Sequence, residues 1–213
     1  MIFAALAVIA AYLIGSINFA VIFTKAFKKT DIREHGSGNA GTTNVMRVGG
    51  LLPGILTFIF DAFKGFVACT VGKVVFDCVF HSQNTLFTSP FAGAYICGVI
   101  CMIGHIFPLF FKFRGGKGVA TSVGIFAVCC PKAIIIGLAV FAIVTLISRY
   151  VSLGSLVATI VVVSLATVFR TSDTPALVQI VSCAIMAVLI IYKHFENIKR
   201  LISGEENRIG KKR

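Results

Sequence analysis

GVATSVGIFAVCCPKAIIIGLAVFAIVTLIS, residues 118–148, is the stretch on which the fold turns. Read as one apolar run of 31 residues, it is a single long membrane crossing. Read as two, 118–130 and 133–148, it is a pair of short ones, since a spanning helix wants about 20 apolar residues. Between the two stands Cys-Cys-Pro-Lys-Ala at 129–133. Pro131 cannot continue a helical hydrogen-bond ladder, and Lys132 suits a membrane surface, so the five residues read as a turn.

Outside this stretch, apolar runs at 2–23, 51–75, 90–111, 151–169 and 175–192 predict five further spans. The total is seven with the turn and six without it, and the two counts put the C-terminus on opposite faces. Charge decides between them. Segment 24–50 carries Lys25, Lys28, Lys29, Arg33 and Arg47, segment 112–118 carries Lys112, Arg114 and Lys117, Arg149 follows, and seven more lie from 193 onward. Seven spans put all of these, 16 of the 20 Lys and Arg, on one face. Lys73, Lys132 and Arg170 take the other face and Lys64 falls mid-span. Basic loops stay cytoplasmic, so the expectation is an all-α integral membrane protein of seven transmembrane helices, N-terminus outside and C-terminus cytoplasmic.

Composition agrees. The 213 residues are 57% hydrophobic and only 13% charged, with mean hydropathy +0.95, where a soluble domain has about 45–50% and about 25%. The size suggests one domain, 1–213, without internal repeats. The first apolar run lacks a basic n-region and carries Ser16 and Asn18, unlike a cleaved signal peptide. Seven cysteines lie almost wholly in apolar runs with no CxxC pair, and read as packing residues rather than disulfides or metal ligands. The net charge of +12 is accounted for by topology, so no nucleic-acid partner is expected.

The polar segments gather on the basic face. Segment 36–50, GSGNAGTTNVMRVGG, interrupts the greasy chain with glycines, Ser37, Asn39, Thr42, Thr43, Asn44 and Arg47. Glycines let backbone approach a ligand, the neutral groups offer hydrogen bonds, and Arg47 can grip a phosphate bidentately. Segment 114–118, RGGKG, opens a candidate helix. Its successive N–H groups and the helix N-terminus make a phosphate cradle in kind, with Arg114 and Lys117 adding full charge. It is not a Walker loop, which has a longer spacing and Ser or Thr after the Lys. Segment 193–206 is the third, and its Ile198, Leu201 and Ile202 at helical spacing suit a short helix on the membrane surface. His35, His105 and His194 lie in or beside these segments and His81 does not. His105 reads either as a satisfied interior histidine or as a site residue. Asp61 and Lys64, three apart on one helical face in mid-span, read either as a structural ion pair or as support for the site.

Several chemistries are missing. No His is followed five positions later by Asp, so the HxxxxD base of common glycerolipid acyltransferases is absent. There is no GxSxG elbow, no HExxH, and no carboxylate cluster for Mg²⁺. No cofactor or metal is expected.

Together the three segments resemble the bacterial membrane acyl-phosphate:glycerol-3-phosphate acyltransferases over essentially the whole chain. GSGNxGxTNxxR is met by Gly36 to Arg47, with Ala40 where Pro is typical and Thr42 where Ala is typical. GHxFP followed by GGKG(V)AT is met from Gly104 to Thr121, and HxxNIxRLxxGxE by His194, Asn197, Ile198, Arg200, Leu201, Gly204 and Glu206. The resemblance implies catalytic roles for Ser37, Arg47, Lys117, His194 and Asn197. It implies substrate or phosphate contacts for Gly36, Gly38, Asn39, Gly115, Gly116, Gly118, His105 and, in RYVSLGS at 149–155, Ser155. The implied reaction moves a fatty acyl group from acyl phosphate to the 1-hydroxyl of glycerol 3-phosphate, giving lysophosphatidic acid at the cytoplasmic face of the bacterial inner membrane. A soluble enzyme that makes acyl phosphate is a candidate partner. An acyl phosphate already holds a good leaving group, which fits the missing triad. The general base is open: His194, a water, or a substrate phosphate. A small transporter or channel for an organic phosphate is the competing reading, although the inverted repeats of such proteins are not evident.

Overall fold

In the computed structural model, residues 1–80 and 89–210 are described; 81–88, with His81, and 211–213 lie outside. Ten α-helices carry the described chain: α1 (Ile2–Gly15), α2 (Phe19–Lys28), α3 (Thr42–Gly49), α4 (Leu51–Phe80), α5 (Pro90–Ile106), α6 (Val119–Cys129), α7 (Pro131–Ser148), α8 (Val151–Val168), α9 (Ala176–Lys193) and α10 (Phe195–Ile202). Six helical stretches among the described residues are long and apolar enough to cross a membrane: α1 with α2, then α4, α5, α7, α8 and α9. Their outward faces carry large exposed apolar side chains such as Ile9, Phe63, Ile135, Leu146, Ile160 and Val188. Such surface suits lipid rather than water.

The run 118–148 is not one rod. Cys130 leaves helical geometry at φ −156°, and Pro131 starts α7 at its first position, where the missing N–H costs nothing. Both ends of the segment lie at the same end of the bundle. Before α6, Lys117 donates to Asn197 of α10. After α7, the Arg149 carbonyl accepts from Ile209 N at 2.9 Å, and Tyr150 Oη accepts from Arg208 Nε at 2.8 Å. The chain therefore goes in and comes back. At 11 residues α6 is short, about 16 Å at 1.5 Å per residue, half of the ~30 Å hydrocarbon layer.

The first run is also broken. Asn18 caps α2, accepting from Val21 N at 3.2 Å, and the interruption frees the Ile17 carbonyl. Lys64 Nζ donates to that carbonyl at 2.8 Å. A backbone break at membrane depth is tolerated where protein satisfies it. α1 presents small residues at Ala4, Ala7, Ala11 and Gly15 to α5, allowing close helix approach.

The main core lies among α5, α6, α8 and α9, around Tyr95, Met102, Phe126, Met186 and Ile190. All seven cysteines are free, and six are buried in this core or in the smaller one between α1, α4 and α5. They pack as small apolar side chains.

Candidate active site

Three loops meet at the end of the bundle that holds both ends of 118–148. The first, 29–41, is organised by Asn44 of α3. Its buried amide donates toward the carbonyls of His35 at 2.9 Å, Asn39 at 3.1 Å and Ile32 at 3.3 Å. Its Oδ1 accepts from Ser37 N at 2.9 Å. Asn44 thus spends its hydrogen bonds on the loop. Sequence reasoning grouped it with groups offered to a ligand, and the correction follows from its burial.

The second loop, 107–118, lies on the end of α5. Gly115 N donates to the Ile106 carbonyl and Gly116 N to the His105 carbonyl, both at 3.2 Å. A Cβ on Gly116 would strike His105 Nε2 and the Ala40 carbonyl, so only glycine admits this contact. His105 is buried beneath the loop, its Nδ1 3.5 Å from Asp61 Oδ1. Asp61 pairs with Lys64 at 2.6 Å, both side chains 2% exposed. The cluster Asp61, Lys64 and His105 therefore forms a floor under the glycines, joining α4, α5 and the α1–α2 break. Gly118, at φ +87°, turns the chain into α6.

The third loop follows α9. His194 ends that helix, 3% exposed, with Nδ1 donating to the Ile190 carbonyl at 2.8 Å. That bond leaves Nε2 as the basic nitrogen of the neutral ring. Lys117 Nζ donates to Asn197 Oδ1. Asn197 Nδ2 donates to Glu206 Oε1 at 2.8 Å, Arg200 Nε donates to Glu206 Oε2 at 2.8 Å, and Ser152 Oγ donates to Glu206 Oε1 at 3.1 Å. Glu206 is the hub that fixes the Asn197 amide with its oxygen toward Lys117.

Between the loops opens a cleft of about 420 Å³. Arg33, Ser37, Gly38 and Asn39 line it from the first loop, Phe113, Arg114, Gly115 and Lys117 from the second, and Lys193, Glu196, Asn197 and Arg200 from the third. Burial lowers the Lys117 ammonium to about 8, with Glu206 opposing that effect and Arg200 adding to it. Burial lowers His194 to about 4, helped by the Lys117 charge. Burial works to raise Glu206, yet the Arg200 and Asn197 hydrogen bonds hold it below the usual carboxylate range. Among the described residues no group of three or more His, Cys, Asp or Glu converges on a metal position.

Family comparison agrees with this arrangement. The family model "Glycerol-3-phosphate acyltransferase" matches residues 5–204. The chain belongs to the glycerol-3-phosphate acyltransferase family. It is 42% identical to the glycerol-3-phosphate acyltransferase of Thermoanaerobacter sp. (strain X514), over 99% of this chain and 98% of that one. It also resembles two crystal structures of PlsY (YgiH), an integral membrane glycerol 3-phosphate acyltransferase. One is the glycerol 3-phosphate form, with TM-score 0.83 and 37% identity over 97% of this chain and 96% of that one. The other is the lysophosphatidic acid form, with TM-score 0.78 and 36% identity over 97% and 95%. The protein is thus a membrane acyltransferase of this family, and its three motifs are the three cleft loops.

Not every expected residue reaches the cleft. Ser37, Gly38, Asn39, Gly115, Lys117 and Asn197 line it. Gly36, Gly116 and Gly118 shape its loops from behind. Arg47 stands exposed on α3, near enough to help depress Lys117. His105 lies under the floor. Ser155 Oγ is bonded to the Val151 carbonyl at 2.9 Å and lines a separate apolar cavity of about 100 Å³. That cavity lies between α4 and α6–α9, walled by Phe58, Phe126, Phe141 and Met186. Arg33, Lys193 and Ser152 were not singled out from sequence. A DIR triplet beside the first glycine motif was the only available signal for Arg33.

Proposed function

We propose that the protein transfers a fatty acyl group from acyl phosphate to the 1-hydroxyl of glycerol 3-phosphate, releasing lysophosphatidic acid and phosphate. The observation that carries this is a basic cleft whose Lys117 loop leads directly into α6, where Val119, Ser122 and Phe126 line the apolar cavity. Phosphate groups fit the cleft, and an acyl chain fits the apolar path toward lipid.

The hydroxyl oxygen attacks the acyl carbonyl carbon, and the carbon–oxygen bond to phosphate breaks. Lys117, oriented by Asn197, neutralises charge as it develops on the carbonyl and the departing phosphate. Holding hydroxyl and carbonyl together supplies proximity. At about 4, His194 is a weaker base than a phosphate monoester dianion, whose conjugate acid titrates near 6. A substrate phosphate is therefore the better acceptor for the hydroxyl proton, and His194, buried at the end of α9, stays neutral near the Lys117 charge.

In the membrane, α6 and α7 make the fourth and fifth of seven crossings, the short α6 sheathed by its neighbours. The N-terminus lies outside, and the C-terminus and cleft face the cytoplasm of the bacterial inner membrane. The support is the concentration of basic residues at the cleft end.

The test offers purified protein in detergent labelled glycerol 3-phosphate with acyl phosphate, acyl-CoA or acyl carrier protein at matched chain length, with and without EDTA. A labelled lipid from acyl phosphate alone, unaffected by EDTA, is expected. Robust turnover of a thioester, or loss in EDTA restored by Mg²⁺, refutes this chemistry.

A further inference from the structure

Asp31, Ile32, Arg33 and Glu34 form a short 3₁₀ turn at the mouth of the first loop. Asp31 caps it, accepting from Arg33 N at 3.0 Å, which brings the two side chains to one side. Its carboxylate then takes the Arg33 guanidinium edge-on, Nε at 2.9 Å and Nη2 at 2.7 Å. A third bond runs from Nη1 to the Phe111 carbonyl at 2.8 Å, across to the second loop, and the guanidinium sits 5.9 Å from the Phe111 ring centroid. Surface Asp–Arg pairs contribute little by themselves. This one differs in being locked from two loops and in lining the cleft.

A guanidinium has five N–H groups, and three are engaged, leaving two. Its orientation is set in advance, so little side-chain freedom is lost when a ligand binds. Lys25 Nζ stands 3.9 Å from Asp31 Oδ2, so the trio keeps a net positive charge. The Arg33 hydrogen bond is the main reason the Asp31 acid is held to about 2, which keeps the pair intact over the working pH range. Among the other cleft cations, Arg200 is turned to Glu206 and Lys117 to Asn197.

We propose that Arg33 is a phosphate-binding residue of the cleft, held ready by Asp31 and the Phe111 carbonyl. This rests on the acyl-transfer reading above, in which both substrates bring a phosphate group. Arg33 grips the ground state and the transition state alike, so its loss appears in KM rather than kcat.

The test uses the full chain with Arg33→Ala, Arg33→Lys and Asp31→Asn. KM is measured for glycerol 3-phosphate at saturating acyl phosphate and the reverse, together with inhibition by inorganic phosphate and the thermal midpoint. Arg33→Ala is expected to raise one KM and the inhibition constant of phosphate at least about tenfold, with kcat within about threefold. A rise in the glycerol 3-phosphate arm assigns the grip to that substrate, and a rise in the other arm assigns it to acyl phosphate. Arg33→Lys keeps the charge without the fork and recovers only part, and Asp31→Asn shows a smaller rise. Should Arg33→Ala fail to accumulate, Arg33→Lys is read in its place. Unmoved KM values in a folded Arg33 variant overturn the inference, as does a fall in kcat and thermal midpoint with KM unchanged, which marks a clasp only. A wild-type protein that makes no lipid from the two substrates sinks the acyl-transfer reading itself.

Discussion

Removing the Lys117 ammonium tests the centre of the site. In Lys117→Ala the cleft loses the one cation held by Asn197, and Asn197 Oδ1 loses its donor. A charge-assisted contact contributes about 1.5–3 kcal/mol, so kcat/KM should fall between about tenfold and about 150-fold. The wild-type pH profile offers a second handle. With its pKa lowered to about 8, Lys117 is roughly nine-tenths charged at pH 7 and roughly one-tenth charged at pH 9. Thus kcat/KM should fall about tenfold per pH unit above pH 8. Stability moves the other way. The folded pKa lies below the free value of 10.5, so the unfolded chain holds the proton more tightly, and between about pH 8 and 10.5 this group favours the folded state as pH rises. Opposite signs separate lost chemistry from unfolding. Initial rates of lipid formation and thermal midpoints, taken from pH 6 to 10 on wild type and Lys117→Ala, make the comparison. A variant with near-normal kcat/KM, or a wild-type profile flat to pH 10, would refute the reasoning.

Asp61→Asn strands the Lys64 charge in the bundle and should cost about 3–5 kcal/mol of stability; pairing it with Lys64→Met should recover most of the loss in thermal midpoint, and no recovery would mean the two are uncoupled. Asn44→Ala removes the amide that gathers the first loop and should lower kcat/KM at least about tenfold, whereas an unchanged value would show that the loop holds itself. For topology, Arg114→Cys in a background without the seven native cysteines should react with impermeant thiol reagents in inside-out vesicles only; labelling of intact cells would reverse the orientation.

Much of the architecture was legible in the residues themselves. A bilayer demands long apolar helices, so the runs announced the spans, and Pro131 with Lys132 announced the turn between α6 and α7. The motifs marked which end of the bundle would carry the cleft. Spacing could not tell how deep a helix starts, and α6 proved half as long as a membrane crossing needs. Nor could it show that Asn18 would split the first run, because the break depends on Lys64, 47 residues from Ile17, meeting the freed carbonyl.

Side-chain direction was the part that only tertiary structure decided. Asn39 and Asn44 look alike in sequence, yet one lines the cleft and the other is spent on backbone carbonyls. Ser152 and Ser155 lie on the same helix, and one reaches Glu206 while the other faces an apolar cavity. His105 read either as an interior histidine or as a site residue and became a floor, whereas Arg33 looked like one more basic loop residue and entered the cleft. Composition and motif report which groups lie at the basic end of the bundle. Whether a polar group serves a substrate or the fold depends on which partner, distant in the chain, satisfies it first, and that is settled by packing.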